Sequence, residues 1–226
     1  MGLFIFLLGI LGLIYVIFPL LSWQIYFAPG FSQIVETPIP KTTVVNSRSI
    51  QTLISTTVSS LRGIDYTNAQ NWFPNLTLQK DAKTPKISSY SLSIPILNIK
   101  NATVSTIDYD LSNHLVNYPG TAMPADNGNT VIFGHSTLPQ LFNPSDYKAI
   151  FATLYKLKTG DEITLNVSSI SYAYKIYNIT VVDPEETSFF AQNYDTSYVT
   201  LVTCTPPGTT WKRLILKARL IPLNGT

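Results

Sequence analysis

The chain has 226 residues, with 15 Lys plus Arg against 13 Asp plus Glu and a net charge of +2. That balance is no electrostatic footprint for nucleic acid, and no basic cluster interleaved with aromatics occurs. Apolar residues make up 45%, enough for a core, whereas charged residues make up only 12%, about half the fraction usual for a soluble globular chain.

The N-terminus explains part of the low charge. Leu3 to Ser22 carry no charged side chain, and twenty helical residues span about 30 Å, the thickness of a bilayer's hydrocarbon core. Trp23 and Tyr26 follow where an interfacial aromatic belt belongs. A cleaved signal peptide is the rival reading, but the start lacks a basic n-region and no A-x-A-like site follows cleanly. Residues 1–27 are therefore expected to form one transmembrane anchor. Flanking charge does not orient it, since the first Lys or Arg is Lys41.

Residues 28–88 read as a linker and N-terminal extension. Pro29, Gly30, Pro38 and Pro40 favour extended chain. Ile50, Leu53, Ile54, Val58 and Leu61 follow helical spacing up to Gly63, predicting a short amphipathic helix. Trp72, Phe73 and Pro74 form an aromatic knot expected to pack onto the domain.

Residues 89–226 are the domain. Short β-branched and aromatic segments alternate with Pro, Gly, Asn and Asp. Strands are expected at Tyr90–Asn98, Thr130–Phe133, Ile163–Val167, Tyr172–Val182, Tyr198–Cys204 and Leu214–Ile221, with a helical turn within Ser145–Leu157. In the last strand Leu214, Leu216, Ala218 and Leu220 share one face, which puts Arg213 on the other, over an outer groove. Many strands on short connections predict a mainly β fold with short helices, a closed or nearly closed β-barrel.

Three residues carry candidate chemistry. Cys204 is the sole cysteine and cannot staple its own chain. It ends an apolar strand before Thr205-Pro206-Pro207-Gly208, where a rigid backbone can present a thiol. Taken alone it reads equally well as an inert core cysteine. His135 follows a short strand and Gly134, at a sheet's rim, and a distant Cys and His form the generic pair for thiol nucleophilic catalysis. His114, the other histidine, lies in a polar stretch. Arg213, nine residues after Cys204, can return beside the thiol on the next strand and hold a carbonyl or oxyanion. One Cys and two His give little material for a zinc site.

These residues lie in stretches that resemble the sortase family. Thr200-Leu201-Val202-Thr203-Cys204 with Arg213 is similar to its T-L-x-T-C signature, and Gly128 to His135 to its G-N-x-V-x-x-G-H segment. Tyr118-Pro119-Gly120-Thr121-Ala122-Met123-Pro124 resembles its Y-P-G-T-A-x-P stretch. The L-x-I-P-x-L run at Leu92–Leu97 and the L-x-x-L-x-x-G-D pattern of Leu154, Leu157, Gly160 and Asp161 complete the order over about 89–221. Ser136 stands where many members carry Arg, and Asp126 where a Gly-Glu pair is common.

The resemblance implies a sortase-type barrel and a transpeptidase. The Cys204 thiolate attacks a carbonyl in a C-terminal sorting motif, a variant of Leu-Pro-x-Thr-Gly, on a surface protein, and an amine of a cell-wall precursor or pilin-like protein resolves the thioester. His135 moves the protons, Arg213 holds the oxyanion, and the flanking Thr203, Gly134 and Ser136 are assigned to substrate binding. The chemistry requires no cofactor; some members bind calcium, and nothing here indicates a calcium site. The implied location is the cell membrane, single-pass, with the domain outside. A surface cysteine hydrolase or a non-catalytic anchored barrel are the alternatives.

Overall fold

A computed structural model describes residues 2–22, 64–73 and 87–222. The amphipathic helix expected near residue 50 lies outside the described residues, as does Pro74. The N-terminal run folds as one helix, α1, Gly2–Ser22, with Phe4, Phe6, Leu8 and Leu11 exposed. Counted over the described residues, no helix is long and apolar enough to cross a membrane. The anchor therefore goes forward as a proposal resting on the sequence.

Eight strands form the domain: β1 Ser89–Ile94, β2 Ile99–Ser105, β3 Leu115–Asn117, β4 Gly128–Phe133, β5 Glu162–Val167, β6 Ile170–Val182, β7 Ser197–Thr205 and β8 Lys212–Leu220. They close into a barrel in the order β1-β2-β3-β4-β7-β8-β6-β5. Only β2/β3 and β4/β7 pair in parallel. Closure leaves no free sheet edge to be capped. The expected strands all form, with small shifts of boundary. The first ends early, because Pro95–Leu97 turn as a 3₁₀ segment and Asn98 adopts a left-handed φ of 55°. The Ser145–Leu157 segment holds a 3₁₀ turn, Leu154–Lys156.

Period-two alternation fills the interior. Tyr90, Leu92 and Ile94 of β1 and Ile163, Leu165 and Val167 of β5 point inward, with polar neighbours between them. β4 departs from alternation, with all six residues buried, and so does most of β7. Such two-sided burial means that both faces are covered. Ile132, Val199 and Leu201 join the barrel core, whereas Val131, Phe133, Val202 and Cys204 join a second cluster on the outer face. Trp72, Phe73, Phe189 and Phe190 help cover that outer cluster.

Candidate active site

Three neighbouring strands set a row of side chains. Phe133 of β4 pairs with Val202 of β7, and the Gly134 N–H donates to the Val202 carbonyl at 3.1 Å. Two residues on from this rung lie Cys204, still on β7, and His135, in the turn that follows β4. Cys204 pairs directly with Arg213 of β8. Val131, Phe133, Val202 and Ile215 belong to the outer cluster, and the period of two gives Cys204 and Arg213 that same outward face, where the His135 ring lies 5.8 Å from that of Trp72. The three residues singled out in the sequence therefore come together in one row. His114 stands apart, its Nε2 3.5 Å from the Asp108 carboxylate.

The flanking residues support this row from beneath. Thr203 has the opposite parity, is buried, and donates its hydroxyl to the Gly134 carbonyl at 2.7 Å. Its side chain thus ties the cysteine strand to the histidine turn rather than facing the groove. A Cβ on Gly134 would stand 2.4 Å from the Phe151 ring and 2.6 Å from Leu115. Only glycine lets the turn descend that far onto the core. The Phe151 N–H donates to the His135 carbonyl at 3.0 Å, fixing the backbone beyond it. The Ser136 hydroxyl is buried next to His135 with no hydrogen-bond partner among the described residues.

Arg213 is 1% exposed, an unusual state for a guanidinium. Nη1 donates to the carbonyls of Thr210 at 2.9 Å and Lys212 at 3.1 Å, and Nη2 donates to the Trp72 carbonyl at 2.9 Å. Nε has no partner. The guanidinium also lies 5.5 Å from the Trp72 and Phe73 ring centroids and 6.0 Å from that of Tyr66, within cation–π range. Two of its carbonyl partners lie within three residues of Arg213 in the chain. The third belongs to the segment 64–73.

That segment covers the site. Asn68 caps a 3₁₀ turn, Ala69–Trp72, by accepting from the Gln70 N–H. The Ala69 N–H donates to Tyr109 and the Leu111 N–H to Thr67, docking the turn on the barrel. Trp72 is fully buried, its ring 5.8 Å from that of His135 and 5.4 Å from Phe133. The sequence predicts that this aromatic knot packs on the domain, and Trp72 and Phe73 do. The sequence allows the residues around Trp72 to cover the groove, but nothing in the local pattern places the indole between His135 and Arg213, where it lies.

Cover and charge set the resting state. Cys204 is only 5% exposed, where the strand-end position suggested an open thiol. Burial pushes its pKa up to about 11, and the Arg213 charge offsets that only in part. Burial also lowers the His135 pKa, against the opposing pull of Asp110 and Asp65. Both effects favour a neutral thiol beside a neutral imidazole at neutral pH. Among the described residues no group of three or more His, Cys, Asp or Glu is placed to hold a metal ion.

A sortase domain model matches residues 85–221, well over half the chain and the whole barrel. The chain belongs to the sortase family. It is 27% identical over 116 residues to Sortase D of Bacillus subtilis (strain 168), spanning about half that relative's length (53%) and 51% of its own. Among solved structures, it is similar to the Clostridium perfringens Sortase D5 transpeptidase, at 31% identity and a TM-score of 0.50, over 60% of this chain and 79% of that one. Sortase A from Corynebacterium diphtheriae shares the fold, with a TM-score of 0.54 at 22% identity over 79% of this chain and 86% of that one. In this sortase the conspicuous T-L-V-T-C run is the part of β7 that carries the nucleophile candidate, and its Thr203 is the tie to the histidine turn.

Proposed function

We propose that this sortase is a membrane-anchored cysteine transpeptidase acting on surface proteins that carry a C-terminal, Leu-Pro-x-Thr-Gly-like sorting motif. The observation that supports it best is that Cys204 pairs with Arg213 across β7 and β8 while His135 lies in the turn just past β4, the strand next to β7. Cys204 passes its thiol proton to His135 and, as thiolate, adds to the scissile carbonyl, forming a thioester as the C–N bond breaks. His135 protonates the leaving amine, then takes a proton from the incoming amine that breaks the thioester. Arg213 stabilises the developing oxyanion with Nη2 and Nε, the two donors on one edge of its guanidinium. Nη2 becomes available when the Trp72 carbonyl withdraws.

The acceptor is an amine of the cell wall or of another protein. Residues 1–27 hold the enzyme in the cell membrane as a single span with the barrel outside, a reading supported by the uncharged run Leu3 to Ser22. No cofactor takes part in these steps.

The test is product analysis with quenched Leu-Pro-x-Thr-Gly-like peptides, with and without oligoglycine or a diamine. Ligation to the amine, lost in Cys204→Ala, is the expected result. Cleavage without ligation at saturating amine would instead support a hydrolase.

A further inference from the structure

Phe73 shows what the groove beside the nucleophile is shaped to hold. It is 2% exposed and meets three rings, with centroids 5.8 Å away for Phe133, 5.1 Å for Phe189 and 5.6 Å for Phe190. Two of these contacts are edge-on, at 79° and 89°. All three walls belong to the barrel. Phe133 lies on β4 two residues before His135, and Phe189 and Phe190 form a 3₁₀ turn between β6 and β7.

That turn is hydrogen-bonded to β4. The Asn129 side chain donates to the Phe189 carbonyl at 2.8 Å, and its backbone N–H donates to the Gln192 side chain at 2.9 Å. The walls therefore have their own support when segment 64–73 leaves. What remains is a groove walled by these three rings, in the same packed cluster as Cys204. Its present occupant also has a suggestive neighbour in the chain. Phe73 precedes Pro74, the order of apolar residue then proline found in a Leu-Pro-x-Thr-Gly motif.

An aromatic ring entering such a slot gains edge-to-face contacts beyond its buried area, which an aliphatic side chain does not. A leucine would also leave part of the space unfilled. We propose that this slot selects acyl-donor peptides whose apolar anchor is an aromatic side chain, phenylalanine in the position that leucine holds in the general motif. The assignment of the slot's ligand to an acyl-donor peptide rests on the transpeptidase reading above.

The experiment uses the full chain in detergent and two labelled peptides, Leu-Pro-x-Thr-Gly and Phe-Pro-x-Thr-Gly, identical elsewhere. Binding is read by fluorescence anisotropy on Cys204→Ala, alone and combined with Phe73→Ala, which empties the slot. Turnover is read on the wild-type enzyme. Expected are binding and kcat/KM about tenfold in favour of the phenylalanine peptide, with tighter binding of it once Phe73 is truncated. Equal binding, or a preference for leucine, overturns the proposal. A retained tenfold binding ratio without any turnover supports the slot and counts against the transpeptidase. Equal turnover and binding of both peptides does the reverse.

Discussion

Truncating Trp72 to alanine should uncover Cys204. The indole is fully buried and touches the rings of Phe133 and His135, and the backbone carbonyl of the same residue accepts from Arg213. Truncating a buried Trp costs about 3–5 kcal/mol, and here most of the loss falls on docking of one short segment. A loss of 3 kcal/mol changes a docking equilibrium by roughly 100-fold, at about 1.4 kcal/mol per decade. Exposure also removes the burial that holds the thiol near 11 instead of its ordinary 9.0, a difference of about 100-fold in thiolate at neutral pH. The two effects share one cause, so they are not multiplied. Iodoacetamide labelling followed by intact mass is clean, because Cys204 is the only cysteine. Labelling of Trp72→Ala at pH 7.5 should be about 100-fold faster than wild type, with the barrel's melting transition retained. Rates within twofold of wild type, in a folded protein, would refute the covering role of the segment.

Three further outcomes follow from the same geometry. Arg213→Lys supplies three donors on a flexible stem in place of a planar fork, and should lower kcat by about 10²–10³ with a smaller change in KM, measured by steady-state transpeptidation. Thr203→Val leaves the Gly134 carbonyl buried without its hydroxyl donor, which should cost about 1–3 kcal/mol by urea unfolding, whereas Thr203→Ser should recover most of both stability and kcat. His135 binds a proton more weakly in the folded state than at its ordinary 6.5. Its contribution to stability is therefore complete above that value and is lost as pH falls below 6.5 through the lower folded pKa. Denaturant melts across pH 4–8 should show a shallower acid slope for His135→Gln than for wild type.

The residues explain what was legible in the sequence. β1, β5 and β6 alternate or run apolar long enough to be read directly, and β4 runs up to Gly134 and β7 through Cys204 in a recognisable pattern. β2 was not anticipated, because Lys100, Asn101 and Thr103 dilute its pattern and Asn101 takes a positive φ of 49°. β3 is three residues long, too short for any periodicity to show. Parity along β8 correctly put Arg213 on the outer face. Its burial was hidden, since that depends on a tertiary contact with residues about 140 positions away. The same contact explains why Cys204 is covered although its strand-end position reads as exposed. Thr203 illustrates the limit of proximity in sequence, because the residue beside a nucleophile points to the opposite side of a strand.

The most direct test of the account is the mass of the enzyme during turnover. Wild-type enzyme mixed with a sorting-motif peptide and no amine should gain the mass of the acyl fragment on Cys204, and should lose it when oligoglycine or a diamine is added, with the ligated product appearing. Cys204→Ala should show neither. A wild-type protein whose uncovered Cys204 alkylates readily, yet forms no adduct with either leucine- or phenylalanine-anchored peptides, would contradict the assignment of this row as a transpeptidase site.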